Sequence, residues 1–237
     1  MALDRVKALV FDVFGTVVDW RSSIAREVDD FAARHGLALD GQQFALDWRA
    51  LYQPAMDKVR QGRMGFVKLD VLHRMNLDEL LARHGIAGLA EAEIDHLNNA
   101  WHRLDPWPDA VPGLNRLHGK YILGTMSNGN VRLMVDMAKR AGLPWDVILG
   151  AEVSRSYKPQ PETYLTGVDY LSMQPDEVML VAAHNGDLVA ASKCGLGTGF
   201  VARPDEYGPA QSRDTRAEHD FDVVADSFLD LADKLGC

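Results

Sequence analysis

The stretch Val6–Trp20, VKALVFDVFGTVVDW, decides the fold. Its first half, KALVFDV, is a short apolar run of the kind that forms a strand buried on both faces. It ends in Phe14-Gly15-Thr16, where the glycine permits a tight turn. After Trp20 the texture changes. Apolar residues recur at helical spacing in SSIAREVDDFAARHG, FALDWRALYQPAMDKVR, FVKLDVLHRMNLDELLARHG and EIDHLNNAWHRL. Gly36, Gly62 and Gly85 stand where these helices stop, and Pro54 is expected to kink or divide the second pattern. One strand is therefore followed by four or five helices, with no second strand among them.

The proline-rich LDPWPDAVPGL then reads as a linker back into a different pattern. Strands at YILGTMSN, VILGA, VMLVAA, GTGFVA and FDVVA alternate with helices at VRLMVDMAKRAG, QPETYLTGVDYLSM, GDLVAASKCG and SFLDLADKLG. Such alternation predicts an α/β fold: a doubly wound parallel sheet flanked by helices. Sheets of this kind bind ligands beyond the carboxyl ends of their strands. The expected division is a core of residues 1–17 plus 104–237, with residues 18–103 inserted as a helical cap above the site.

Composition narrows the function. With 25 Lys and Arg against 34 Asp and Glu the net charge is −9, which argues against nucleic acid or an anionic membrane surface as partner. An anionic small molecule remains compatible, because one or two nearby cations outweigh distant charge. No apolar run approaches the ~20 residues of a membrane helix, and the opening residues read as a strand with no secretory signal. Two cysteines, Cys194 and Cys237, do not make a disulfide framework, and a reducing cytoplasm is the expected compartment.

Four polar clusters fall at the ends of expected core strands: Asp12, Ser127-Asn128, Lys158-Pro159, and His184-Asn185-Gly186-Asp187. Singly, each would pass for a helix cap, a turn or a solvated loop lysine. Together, in the order DxFGT, SNG, KP and a late acid, they resemble the four-motif signature of the haloacid dehalogenase superfamily, over essentially the whole chain. The 2-haloacid dehalogenase branch is the most similar, through VFDVFGTVVDW, LDPWPDAVPGL and SYKPQPETY.

That resemblance implies a Rossmann-like core with an inserted cap, and a hydrolase that converts short 2-haloacids to 2-hydroxyacids with inversion at C2. Asp12 is the implied nucleophile, forming an ester that water then cleaves. Monohaloacetates and (S)-2-halopropionates are the expected substrates. Lys158 is implied to hold Asp12 or orient the substrate. Ser127 and nearby backbone N–H groups are implied to bind the substrate carboxylate, and Asn128 the halide. Thr16 is near enough along the turn to orient Asp12. From the cap, Arg49 is implied to stabilise the departing halide or the substrate carboxylate, and Tyr164 and Asn185 fall at positions near the site. Trp20 and Tyr52 are candidate pocket walls. A homodimer is also implied.

Position 14 separates the two main chemistries of the superfamily. Its phosphatases resemble DxD there; the second Asp protonates the leaving alkoxide and its backbone helps to hold Mg²⁺. Phe14 can do neither. Halide leaves without a proton, and hard cations want several oxygen ligands, so no catalytic metal or other cofactor is expected. The rivals are a Mg²⁺-dependent phosphatase of the same fold and a non-catalytic scaffold. Two departures from the branch stand out. Phe14 keeps the ring of a common Tyr without its hydroxyl. The fourth motif reads Ala182-Ala183-His184-Asn185-Gly186-Asp187 where SSNxxD is common, so the Ser and Asn roles do not carry over. Asp187 is then the expected base or orienter for the water, with His184 a candidate to share that work. The AAHN loop suggests a subgroup with a tighter pocket that accepts fluoroacetate.

Overall fold

The computed structural model describes residues 3–237. Six strands form one parallel sheet: β1 (Ala8–Phe11), β4 (Ile122–Met126), β5 (Val147–Leu149), β6 (Val178–Ala182), β7 (Gly197–Val201) and β8 (Val223–Ala225). Two further two-residue strands, β2 (Val18–Asp19) and β3 (Asp105–Pro106), pair antiparallel away from it. The order across the main sheet is β5-β4-β1-β6-β7-β8. All four residues of β1 are buried, as its unbroken apolar run requires of a strand covered on both faces. The strand order reverses at β1, which pairs with β4 on one side and β6 on the other. A crevice therefore opens beyond its carboxyl end, at the switch point of the sheet.

The insertion follows the helical spacing of the sequence: α1 (Trp20–His35), α2 (Gly41–Ala50), α3 (Tyr52–Arg60), α4 (Leu69–Arg83) and α5 (Glu91–Asn98). Asp19 starts α1 by accepting the Ser22 N–H, and Gly36 ends it in the left-handed region at φ 62°, as an N-cap acid and a C′ glycine do. The expected break in the second helical pattern falls at Leu51. Pro54 itself sits in the first turn of α3, where its missing N–H removes no bond the helix needs. The return to the core passes through β3. Its pairing with β2 leaves no mark in the sequence, because two residues are too few to show a period. This ribbon ties the exit from the core to the re-entry, reinforced by Trp107 Nε1 donating to the Gly15 carbonyl at 2.9 Å.

The core helices are α6 (Ala110–His118), α7 (Val131–Ala141), α8 (Ala151–Ser154), α9 (Pro161–Tyr170), α10 (Asn185–Lys193) and α11 (Phe228–Lys234). Phe11 packs between Trp145 and Phe228 at ring distances of 5.3 and 5.6 Å. Under the insertion a second aromatic cluster gathers Phe14, Trp20, Trp48, Tyr52, His73 and Trp101. Burial holds the His73 imidazole neutral, its pKa pressed down to about 3, so it packs as a ring on Trp101 at 4.3 Å. Among the described residues no helix is long and apolar enough to cross a membrane, and both cysteines are free.

Candidate active site

Asp12 follows β1 directly, so its carboxylate stands at the switch point. It borders a cavity of about 380 Å³ whose walls also include Phe14, Arg49, Tyr52, Asn128, Lys158, His184 and Asp187. The four motif clusters of the sequence thus meet in one place, beneath α2 and α3 of the insertion.

The two oxygens of Asp12 are held differently. Oδ2 takes the Thr16 hydroxyl at 2.8 Å and His184 Nδ1 at 3.0 Å. Thr16 Oγ1 itself accepts the Ala183 N–H at 2.9 Å, so its one proton is directed at Asp12. Among the described residues Oδ1 has only Lys158 Nζ, at a longer 3.3 Å. Burial works against the Asp12 charge, but Lys158, His184 and Thr16 outweigh it and hold the carboxyl well below the usual carboxylate range. The group is an anion at any physiological pH, as a nucleophile must be.

Lys158 is buried between two carboxylates, with Asp187 Oδ2 at 2.6 Å on its other side. Burial disfavours the ammonium, yet Asp187 and Asp12 raise its pKa above the usual lysine value. The backbone around it is fixed too, since Asn128 Oδ1 accepts the Lys158 N–H at 2.8 Å. That bond turns the Asn128 amide N–H₂ towards the Tyr52 hydroxyl at the cavity wall. Tyr164 lies behind the wall and donates its hydroxyl to Asp187 Oδ1 at 2.6 Å, so it touches the site only through Asp187.

Arg49 enters from α2. Its guanidinium lies 4.1 Å from the Tyr52 ring centroid, 5.2 Å from Trp20 and 5.9 Å from Phe14. Nη1 is buried and has no hydrogen-bond partner among the described residues. A guanidinium caged by aromatic faces with a spare N–H is a strong anion donor in a water-poor pocket.

Two residues expected at the substrate are turned elsewhere. Ser127 is buried and its Oγ accepts the Gly129 N–H at 3.2 Å, shaping the loop it belongs to. Asn185 donates its amide to Asp214 Oδ1 and to the Arg216 carbonyl, pinning the loop after β7 to the start of α10. Of the two guessed walls, Tyr52 lines the cavity and Trp20 does not; Trp20 Nε1 donates instead to Glu206 Oε1 at 2.8 Å. Glu206, with Tyr207, Arg213 and Asp214, was missed. It comes from the loop between β7 and β8, which carries no periodicity and no motif. A trace existed in Gly15, whose φ is +85° and where a Cβ would stand 2.1 Å from Glu206 Oε1.

A doubly wound parallel sheet with a helical insertion, and a buried cluster of ion pairs at the tip of its middle strand, is the build of a hydrolase with a Rossmann-like core. The chain belongs to the haloacid dehalogenase-like hydrolases, whose family model matches residues 6–195. It is 30% identical to (S)-2-haloacid dehalogenase 4A of Burkholderia cepacia over 217 residues, 86% of this chain and 88% of that one. Among solved structures it is similar to a defluorinating L-2-haloacid dehalogenase, with TM-score 0.97 and 51% identity over 98% of this chain and 96% of the other. A second L-2-haloacid dehalogenase superposes with TM-score 0.95 and 47% identity, over 98% and 99% of the two chains.

Proposed function

We propose that the protein hydrolyses the carbon–halogen bond of L-2-haloacids, monohaloacetates and (S)-2-halopropionates among them, through an ester on Asp12. The observation that carries this reading is the unequal holding of the Asp12 oxygens. Oδ2 is occupied by two short donors, while Oδ1 keeps a lone pair facing the cavity beside Lys158. Oδ1 attacks C2 in line with the halide, which departs towards Arg49 and the Asn128 amide. A single displacement at carbon inverts C2. A preorganised cation of this kind supplies about 3 kcal/mol to a developing anion.

Water then adds to Cγ of the Asp12 ester. Asp187, held by Lys158 and Tyr164, receives a proton from that water and returns it to the departing alkoxide, giving the 2-hydroxyacid. Phe14 stands where a phosphatase of this fold keeps its proton donor, and a leaving halide has no use for one. The similarity to a defluorinating enzyme extends the reading to fluoroacetate, for which the unpartnered Arg49 N–H is the donor a small, hard leaving anion needs. Residues 18–103 act as the cap that covers the site, and the functional unit is a homodimer, testable by sedimentation.

Single turnover with enzyme in excess, in heavy-oxygen water, tests the mechanism. The first product carries an unlabelled hydroxyl taken from Asp12, and the label appears in the aspartate. Label in that first product means direct attack by water and refutes the ester. Mg²⁺-dependent release of phosphate from an aryl phosphate, with no halide release from chloroacetate, would return the protein to the phosphatases.

A further inference from the structure

Glu206 is 1% exposed, a carboxylate at nearly complete burial in a loop. Neither half of the proposed reaction uses it. One oxygen takes the Trp20 indole N–H; the other lies 2.9 Å from His184 Nε2. The far nitrogen of the same ring, Nδ1, lies 3.0 Å from Asp12 Oδ2. Asp12, His184 and Glu206 therefore form a line, carboxylate–imidazole–carboxylate. Ionised carboxylates only accept hydrogen bonds, so both ring nitrogens must donate, and the ring that satisfies both is the imidazolium. The charges around it agree. Asp12 and Glu206 face the ring. Lys158 and Arg49 stand behind those carboxylates, with Asp187 beyond Lys158. Burial disfavours a charged ring, but Glu206 and Asp12 raise the His184 pKa well above its ordinary value.

We propose that His184 is a cationic oxyanion donor for the ester-cleaving half of the reaction, with Glu206, anchored by Trp20, as the positioning residue that keeps it charged. The inference rests on Asp12 being the ester-forming nucleophile. When water adds to Cγ, the carbonyl pair moves onto Oδ2, the oxygen that already receives Thr16 O–H and His184 Nδ1–H. Both donors are aimed before the charge appears, as preorganised stabilisation requires. The tetrahedral centre collapses by breaking Cγ–Oδ1. Oδ1 leaves on C2 and takes the proton from Asp187. Asp12, now carrying the water oxygen, loses its remaining proton to solvent. His184 exchanges no proton, so the water-activating role open to it in the sequence passes wholly to Asp187.

Glu206→Gln tests this with little change of shape. The amide oxygen can still accept from Trp20, and the amide N–H₂ faces Nε2, so the ring stays in place with Nδ1–H but neutral. Rapid-quench mass spectrometry with (S)-2-chloropropionate follows the ester on the intact chain. In the variant, halide is expected in a burst of one per enzyme at close to the wild-type rate. Ester cleavage is expected to slow about 100-fold, the loss typical of a disabled oxyanion donor, so the ester accumulates. The wild-type cleavage rate falls at high pH as the ring deprotonates, and in Glu206→Gln that fall moves to lower pH. Trp20→Phe removes the anchoring N–H together with part of the ring that faces Arg49; it is expected to accumulate ester to a smaller extent, with a slower halide burst, and serves if the first variant does not fold. Cleavage that rises with pH through the His184 titration, or a Glu206→Gln enzyme that accumulates no ester, overturns the inference. If the wild-type enzyme itself never carries the ester, the nucleophile reading fails instead.

Discussion

Replacing Gly15 with alanine strains the turn that closes the site from below. The backbone there sits at φ +85°, and the added methyl carbon would lie 2.1 Å from Glu206 Oε1 and 2.3 Å from its carboxyl carbon. The left-handed conformation alone costs a non-glycine residue roughly 1–2 kcal/mol. The clash then forces the Glu206 carboxylate away from Trp20 or His184, and each charged hydrogen bond lost from a buried group costs a further ~1.5–3 kcal/mol. Partial relaxation of the loop recovers some of this, so Gly15→Ala is expected to lose about 3 kcal/mol of stability, read from urea unfolding followed by tryptophan fluorescence. Its catalytic signature is expected to resemble that of Glu206→Gln, with ester accumulating, because the same ion pair is broken. A variant within ~0.5 kcal/mol of wild type, the range of an innocuous surface change, that cleaves ester at the normal rate would refute the placement of Glu206 against Gly15.

Asp12→Asn is expected to abolish halide release while leaving the fold intact, measured by chloride assay and circular dichroism. Lys158→Met leaves Asp12 and Asp187 as facing buried anions. It is expected to destabilise by ~3–5 kcal/mol, as breaking a buried ion pair does, visible as a fallen melting temperature. Arg49→Lys keeps the charge but loses the planar contact with Tyr52, and kcat is expected to fall about 100-fold with chloroacetate. The His102 imidazole joins α4 to α7, lying 3.1 Å from Asp70 Oδ1 and 2.8 Å from Asp136 Oδ2. Burial lowers its pKa but the two carboxylates more than offset that and raise it. A raised histidine contributes its full stability below pH ~6.5, the unfolded value, and loses it as pH rises through the folded value. Unfolding free energies from pH 6 upward are expected to show that decline in wild type and a flatter profile in His102→Gln.

The sheet was legible because each core strand is an apolar run closed by a turn, and doubly wound order forces the strand ends to one side. That geometry brings Asp12, Asn128, Lys158 and Asp187 to one edge of the sheet. What stayed hidden has physical reasons. Pro54 looked like the breaker, yet proline is tolerated in a first turn, and the break lies at Leu51. The β2–β3 ribbon is held by its position between two linkers, which no two-residue pattern reveals. Ser127 and Asn185 carry side chains able to bind a substrate or a neighbouring backbone equally well, and only tertiary contacts choose. Glu206 sits among Arg203, Pro204 and Asp205 in a stretch that reads as solvated loop; its burial depends on Trp20, more than a hundred and eighty positions earlier.

The polar lining of the cavity also carries a long-range consequence. Counted as ions, Asp12, Asp187 and Glu206 balance Arg49, Lys158 and His184, and Arg213 and Asp214 at the wall cancel as well. The chain as a whole bears −9. An incoming haloacid anion is therefore repelled at a distance and drawn in only within about a Debye length of ~8–10 Å. Capture then proceeds without electrostatic steering, and added salt, by screening the outer repulsion, quickens the encounter instead of slowing it.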